Sequence, residues 1–177
     1  MIASIRITGI PQDDVVVIGA SSTLSATPLD AAGTVVPGSV PTWSSSDTTI
    51  LSVTSTGVVV GKTTGSAVVT ASVGTISRAA ALSVHSPITV PDSAAGTSQV
   101  SLFSGALSLT VPPGATGATK QINVGLSTAV LPKPATVVSP AYDFGPSGLQ
   151  FATPIKVTIK YGTSGSSAIL GSLVLAT

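Results

Sequence analysis

The sequence of 177 residues contains no cysteine and no glutamate, and only 7% of its residues are charged. Without cysteine the chain has no disulfide, no thiol nucleophile, and no Cys-ligated zinc or iron–sulfur cluster. Typical soluble domains carry about 25% charged residues. Glu, Lys and Arg are also strong helix formers, so their scarcity disfavours helices. These absences exclude thiol chemistry and favour a fold built from strands.

Hydroxyl and β-branched side chains take the place of the missing charges. Ser and Thr make up 51 of the 177 residues, and the β-branched residues Val, Ile and Thr favour strands. The net charge is +1, and the seven Lys and Arg residues are scattered. Neutralising several nucleic-acid phosphates requires clustered cations, so we expect no nucleic-acid partner. A net charge near zero suits a subunit that is held against neighbours.

The two ends of the sequence show no targeting or membrane signal. Met1 leads directly into a strand pattern, without a basic segment followed by a long apolar one. For an exported protein, we therefore expect that a signal peptide has been removed or lies outside this sequence. The apolar tail 168–176 is far shorter than the roughly 20 residues of a spanning helix. We expect it to form a final strand.

The first half alternates apolar and polar residues between turn signals. Residues 67–73, for example, place Ala67, Val69, Ala71 and Val73 on one face. Thr54-Ser55-Thr56-Gly57 is typical of a hairpin turn. Short strands that recur every 8–12 residues or so indicate a β-sandwich. The predicted strands are 4–10, 15–18, 23–29, 40–44, 50–53, 58–60, 67–73 and 77–85.

A second strand series follows a proline-containing stretch. Pro87 and Pro91 predict an extended linker. The predicted organisation is a first domain at 1–86, a linker at 87–98 and a second domain at 99–177. The fold class is therefore all-β, with two tandem β-sandwiches. The predicted strands of the second half are 99–103, 106–111, 120–126, 137–144, 155–161 and 169–174.

Residues 4–85 resemble the group 2 bacterial immunoglobulin-like domain. The motifs that carry the resemblance occur in order: Ile5-Arg6-Ile7, Thr23-Leu24-Ser25-Ala26-Thr27, Thr42-Trp43-Ser44-Ser45-Ser46-Asp47, Ile50-Leu51-Ser52-Val53, Thr56-Gly57-Val58-Val59 and Gly65-Ser66-Ala67-Val68-Val69-Thr70-Ala71. The resemblance implies an immunoglobulin-like sandwich. Trp43 is large enough to pin two sheets together, which agrees with that fold.

Residues from about 100 to 161 resemble a ZU5-type domain. The motifs are Val111-Pro112-Pro113-Gly114-Ala115, Ile122-Asn123-Val124, the run from Tyr142 to Phe151 that contains Gly145-Pro146-Ser147-Gly148, and the run from Pro154 to Tyr161. Such domains are interaction modules, and some relatives cleave themselves at a His-Phe-Ser site. That tripeptide does not occur here, so the resemblance implies no self-cleavage. Both resemblances imply binding or architecture rather than catalysis.

Catalytic candidates are few. His85 is the only histidine, and a Ser-His-Asp triad needs a constrained nucleophile and an oriented imidazole. No Gly-x-Ser-x-Gly elbow is present beside a strand–helix pattern. We therefore predict that His85 is a linker or strand-end residue, that the protein is not an enzyme, and that it has no catalytic residues and no cofactor.

The aspartates are the other candidates for chemistry. Asp13, Asp14, Asp30 and Asp47 fall in predicted turns, where the carboxylate accepts hydrogen bonds from nearby backbone amides. Calcium is the metal that such oxygen ligands suit best, and Asp13, Asp14 and Asp47 would hold it only if they share one end of the sandwich. No EF-hand spacing exists. We predict turn chemistry and no metal site.

Two aromatic residues raise the alternative of a sugar-stacking patch. Trp43 and Tyr142 would form one if exposed, but both lie within apolar alternation, so we predict core positions. A binding surface is expected instead on strand edges, on end loops, or around the turn Gly145-Pro146-Ser147-Gly148.

The predicted function is that of a structural or interaction protein of the bacterial cell envelope, periplasmic or on the cell surface. The leading version is an accessory subunit that binds protein partners on the periplasmic or outer face of a membrane assembly. The alternatives are an adhesin that binds a host, matrix or carbohydrate ligand, and a carbohydrate-binding or spacer module of a secreted enzyme.

Overall fold

A computed structural model describes residues 1–90, 96–127 and 141–160 and the backbone of one further short strand, Ser167–Ala168. The chain divides into two compact units, Met1–Ser86 and Pro87–Thr177. Apart from two 3-10 turns, all regular elements of the described residues are strands. The predicted all-β fold is confirmed. The described residues contain no helix with the length and apolar character required to cross a membrane.

Nine strands and one 3-10 turn, Gln12–Asp14, begin in the first unit. The strands are β1 (Ser4–Thr8), β2 (Val15–Val17), β3 (Ser21–Thr23), β4 (Ser25–Leu29), β5 (Thr42–Ser45), β6 (Leu51–Val53), β7 (Val58–Gly61), β8 (Gly65–Val73) and β9 (Ile76–Val90).

The first unit is a sandwich of largely antiparallel sheets. On one side, β5 pairs with β8 and β8 with β9, while β2 adds to β9 in parallel. A second sheet has the order β3-β7-β6, and β1 and β4 form a separate antiparallel pair. The core between the sheets is aliphatic, because the alternate inward positions carry Val, Leu and Ala. Its buried members are Val16, Leu24, Leu51, Val59, Ala67, Val69, Leu82 and Val84.

One predicted strand is in fact two. The alternation over 23–29 suggested a single strand, but β3 ends at Thr23 and β4 begins at Ser25. Leu24, between them, is 1% exposed, and its backbone N–H donates to the carbonyl of Gly57 at 2.9 Å. The chain therefore changes partner at Leu24: β3 pairs with β7, and β4 pairs with β1.

The predicted hairpin at residues 54–57 is confirmed, and it holds the tryptophan. Its turn closes through the Gly57 N–H to the Thr54 carbonyl at 3.0 Å. Gly57 has φ +85°, and a Cβ built there would lie 3.2 Å from ring atoms Cε2 and Nε1 of Trp43. Trp43 is half-buried against the core and pairs with Ala71 across β5 and β8. The indole therefore packs directly on the turn, where only a glycine leaves room.

Strand β9 differs from the predicted strand and linker. It extends fifteen residues to Val90 and contributes residues to both units. Within the second unit, Ile88 and Val90 are 4% and 0% exposed and belong to the core. The predicted linker at 87–98 therefore begins as strand, because burial of these two side chains favours strand structure over a solvated connection. It also ends in strand, since β10 begins at Ser98. Residues 91–95 lie outside the described part.

The described part of the second unit contains six further strands and the 3-10 turn Phe103–Gly105. The strands are β10 (Ser98–Leu102), β11 (Leu107–Val111), β12 (Lys120–Leu126), β13 (Tyr142–Gly145), β14 (Lys156–Lys160) and β15 (Ser167–Ala168). One sheet has the order β10-β11-β14-β15, and in the other β12 lies between β13 and the end of β9.

Strands β11 and β14 of the second unit also alternate more buried and more exposed residues. Val157 is buried, and its neighbours Lys156 and Thr158 point to the opposite face of β14. The buried members are Ile88, Val90, Leu107, Leu109, Val111, Ala115, Ile122, Val124, Ile155 and Val157. Parts of the predicted strands 137–144 and 155–161 and all of 169–174 lie outside the described residues.

Candidate functional site

His85 is a buried strand residue. It is 1% exposed in β9, beside Val17 of the parallel neighbour β2. Its carbonyl accepts a hydrogen bond from the backbone N–H of Ile18 at 2.9 Å. The sequence placed His85 at a strand end because of the following Pro87, but the strand continues past this proline. A ring with so little exposed area is not presented to a substrate.

Two of the predicted turn aspartates accept hydrogen bonds from residues of their own turns. The Asp30 carboxylate accepts hydrogen bonds from the backbone N–H groups of Ala32 at 2.9 Å and Thr34 at 2.8 Å. The Asp47 carboxylate accepts from the backbone N–H of Thr49 at 2.9 Å and from its hydroxyl at 2.6 Å. The prediction of turn chemistry is confirmed for both residues. These bonds fix the connections that lead out of β4 and β5.

The hydrogen bonds from Thr49 hold the pKa of Asp47 below its ordinary value, with the side-chain hydroxyl the largest cause and the backbone amide the next. A carboxyl with a lowered pKa in the folded state stabilises the fold above the unfolded-state pKa of about 3.9 and loses this contribution as pH falls through its folded value. We expect Asp47→Asn to be less stable than the wild type at pH 7, and the difference to shrink by pH 2. Urea unfolding across this range measures it.

The matched control for this prediction is Asp143→Asn, which removes the same charge from an exposed position on β13. A stability difference between the wild type and Asp47→Asn that stays constant from pH 7 to pH 2 would contradict the assigned role of the carboxylate.

The other two candidate carboxylates lie in the exposed 3-10 turn before β2. Asp13 and Asp14 have φ values of 58° and 56°, in the left-handed region that Asp tolerates better than most residues. Within residues 1–90, 96–127 and 141–160, no three His, Asp or Glu side chains gather in a way that would hold a metal ion. The structure therefore does not bring Asp13, Asp14 and Asp47 together as a calcium site would require.

The two aromatic candidates pack against the cores, as predicted. Trp43 covers the Gly57 turn in the first unit. Tyr142 is half-buried in the second unit, where its ring centroid lies 5.1 Å from that of Phe103 at an interplanar angle of 41°. Such tilted pairs are favourable contacts within a core. Neither ring belongs to a flat exposed platform.

The turn after β13 has a buried entry and an exposed tip. Gly145 is buried opposite Asn123 of β12, while Pro146, Ser147 and Gly148 are exposed. A Cβ built at Gly145 would lie 2.6 Å from Oδ1 of Asn123. The carboxamide of Asn123 therefore occupies the space beside the glycine, which is the reason for a glycine at this position. The sequence placed Asn123 in the motif Ile122-Asn123-Val124 but assigned it no packing role, because its burial depends on β13.

The outward face of the β5-β8-β9 sheet is a second feature that sequence reasoning missed. Cross-strand pairs place Thr42 beside Ser72 and Ser44 beside Thr70 on the face opposite Trp43. Pairing of β8 with β9 adds further small side chains to this face. The alternation of Ser, Thr and Ala was the available signal, but only the register shows that the rows align. The exposed members are Thr42, Ser44, Val68, Ser77, Ala79 and Ala81.

This face, which we call the hydroxyl–alanine face, carries no charged side chain at its paired positions. Val68 at its centre is 39% exposed. Contact with a face of this kind removes no water from charged groups at the paired positions, and burial of a charge costs far more than burial of a hydroxyl. It is therefore suited to contact with another macromolecule.

Comparisons with known proteins add the following likenesses. No family model matches the chain, and no curated protein matches it. A solved structure of an intimin mutant from EHEC O157:H7 is similar with a TM-score of 0.38 and 16% identity over 51% of this chain and 52% of that one. The S-layer protein rSbsC(31-844) is similar with a TM-score of 0.41 and 16% identity over 94% of this chain. Domains 4 and 5 of SbsC match with a TM-score of 0.41 and 15% identity over 94% of this chain and 96% of that one. This chain spans 27% of the length of the rSbsC chain.

Proposed function

We propose that this chain is a non-catalytic structural and interaction module of the bacterial cell envelope, located in the periplasm or at the cell surface. Its first unit would be a group 2 bacterial immunoglobulin-like domain and its second a ZU5-like domain. The observation that carries the proposal is the hydroxyl–alanine face. An uncharged, exposed sheet surface of this kind suits contact more than chemistry, since catalytic groups usually gather in a cleft and have charged neighbours.

The polar groups most suited to catalysis support this proposal. Asp30 and Asp47 bind the amides of their own turns, and His85 lies in the interior of a strand. Turnover of an ester, glycoside or peptide that is abolished by a change at His85 or at one of these aspartates would contradict the non-enzymatic role.

The leading version of the function is an accessory subunit whose hydroxyl–alanine face contacts a protein partner. We expect Ala79→Lys/Ala81→Lys to weaken that contact at least about tenfold, because two charges would have to be buried or paired at the interface. The measurement is gentle affinity recovery of the full chain from source membranes, followed by titration of the recovered partner against each variant.

The matched control is Ser4→Lys/Ser55→Lys, which adds the same charge at exposed positions on β1 and in the hairpin turn. The proposal predicts one stoichiometric partner that binds the wild type and the control with equal affinity. Recovery of the chain alone, or equal binding by both double variants, would count against it.

The adhesin alternative uses the same interaction chemistry with an external ligand. The exposed tip Pro146-Ser147-Gly148 is the specific feature that favours it, because exposed loops at the end of a sandwich are common binding positions. Binding to a host or matrix ligand that is lost on replacement of this tip, with the membrane partner absent, would favour the adhesin over the subunit.

A further inference from the structure

The outward face of the β10-β11-β14 sheet differs from the hydroxyl–alanine face of the first unit. Cross-strand pairing aligns Gln99, Thr110 and Lys156 in one row. The row beside it aligns Ser101, Ser108 and Thr158. We call this surface, together with Lys160, the lysine–hydroxyl face. All its members point away from the core, which is formed by the alternate residues of the same strands.

The ammonium groups of this face are presented to solvent. Lys156 and Lys160 are exposed, and they lie four residues apart on β14, roughly 13 Å along the strand. A Cβ built at Gly105 would lie 3.7 Å from Nζ of Lys160 and 3.8 Å from Oγ of Ser101. The Lys160 ammonium and the Ser101 hydroxyl therefore both lie close to Gly105, at the end of the 3-10 turn.

The face has a single sign of charge. In the described part of the second unit the carboxylate is that of Asp143, which lies on β13 in the other sheet. The lysine–hydroxyl face therefore carries two positive charges and no negative one among its paired positions. An anionic partner is complementary to it, and a cationic or strongly hydrophobic one is not.

The polar groups between the lysines identify the class of anion. Ser and Thr hydroxyls and the Gln99 carboxamide both donate and accept hydrogen bonds, as sugar hydroxyls do. No aromatic side chain lies among the paired positions of the face, so it lacks the stacking platform on which single-stranded nucleic acids depend. Two lysines also fall short of the cation cluster that duplex DNA requires. A polysaccharide with regularly spaced carboxylates satisfies both the charges and the hydroxyl rows.

We propose that the lysine–hydroxyl face binds an acidic polysaccharide of the polyuronate class. The carboxylates pair with Lys156 and Lys160, and the sugar hydroxyls contact the rows of Ser101, Ser108 and Thr158. This inference rests on the proposed function as an envelope interaction module and names the chemistry of one of its ligands. Because the lysines are exposed, each single contact is weak, and a long polysaccharide gains affinity only where several copies of the protein are held together.

The test uses the full chain, with alginate as the polyuronate probe and dextran as the neutral one, by isothermal titration at low salt. We expect binding of alginate without binding of dextran. Each exposed lysine is expected to contribute about two- to fivefold, so Lys156→Gln/Lys160→Gln lowers the affinity about tenfold. Raising the salt concentration lowers the wild-type affinity and has a smaller effect on the double variant.

The matched control is Arg6→Gln/Arg78→Gln, which removes two exposed positive charges from the first unit. Unchanged alginate binding by this control supports the proposal, provided that both double variants keep the wild-type unfolding midpoint. Absence of alginate binding, equal loss in both double variants, or equal affinity for single-stranded DNA would overturn it. Failure here with an intact protein partner on the hydroxyl–alanine face would leave the proposed function standing.

Discussion

Gly57→Ala is expected to lower the free energy of unfolding of the first unit by about 2–5 kcal/mol. A left-handed residue other than glycine costs roughly 1–2 kcal/mol, and overpacking adds about 1–3 kcal/mol. Here the new Cβ would overlap the backbone oxygen of Leu24 and would lie 3.2 Å from the Trp43 ring. The overlap with a backbone atom cannot be relieved by a side-chain rotation. The loss is comparable to the whole stability of a marginal domain, about 5 kcal/mol.

Gly33→Ala provides the control for the Gly57 prediction. Gly33 has a similar φ of +80°, and a Cβ built there meets no atom within 4 Å. It therefore carries only the conformational cost, about 1–2 kcal/mol. Urea unfolding followed by the emission of Trp43, the only tryptophan, reports the first unit directly. Equal destabilisation by the two substitutions would show that close packing around Gly57 does not contribute to the free energy of unfolding.

Gly145→Ala is expected to destabilise the second unit by about 2 kcal/mol, within the range for overpacked sites. Its φ is not in the left-handed region, so the cost comes from the 2.6 Å approach to Oδ1 of Asn123. We therefore expect the cost of Gly145→Ala to fall by more than half in an Asn123→Ala background. A double-mutant cycle by urea unfolding measures this coupling free energy.

Gly148→Ala supplies the contrast within the same turn. Gly148 has φ +81°, and a built Cβ meets nothing within 4 Å. Its cost is conformational, so it should be the same in the wild-type and Asn123→Ala backgrounds. Equal coupling free energies of Gly145→Ala and Gly148→Ala with Asn123→Ala would contradict the packing role assigned to Asn123.

Strand positions were predicted well where the alternation is local. Val69 and Ala71 are buried on β8 and Lys156 and Lys160 are exposed on β14, as the period of two requires. The hairpin ending at Gly57 was also predictable, because its turn chemistry is contained in four residues. In these cases the residues that decide the structure are close together in the sequence.

The predictions failed at positions whose structure depends on strands that are distant in the sequence. The change of partner at Leu24 depends on β7, more than thirty residues later, and no local breaker marks it. The strand through Pro87 is favoured by burial of Ile88 and Val90, which composition alone cannot show. The prediction that His85 lies at a strand end failed for the same reason, because β9 continues through Pro87. Non-local burial overrode the local proline signal.

The candidate sites also divide into those that depend on local sequence and those that depend on distant strands. The roles of Asp30 and Asp47 were predictable, since each bonds to an amide two residues later. The hydroxyl–alanine and lysine–hydroxyl faces were not predicted, because a face exists only once the register of three strands is known. Single residues with local partners can be read from the sequence, and surfaces built by several strands require the fold.

The position of Asn123 has a consequence for the chemical ageing of the protein. Asn, Cys and Met are the residues that degrade most readily, and this chain has one Asn, one Met at position 1, and no Cys. Asn123 is 8% exposed within β12, and its carboxamide is held against Gly145. Deamidation requires the following amide to reach that carboxamide, which an extended strand prevents. Spontaneous deamidation of Asn123 therefore has to await opening of the second unit, so the lifetime of this side chain depends on the folding stability of that unit.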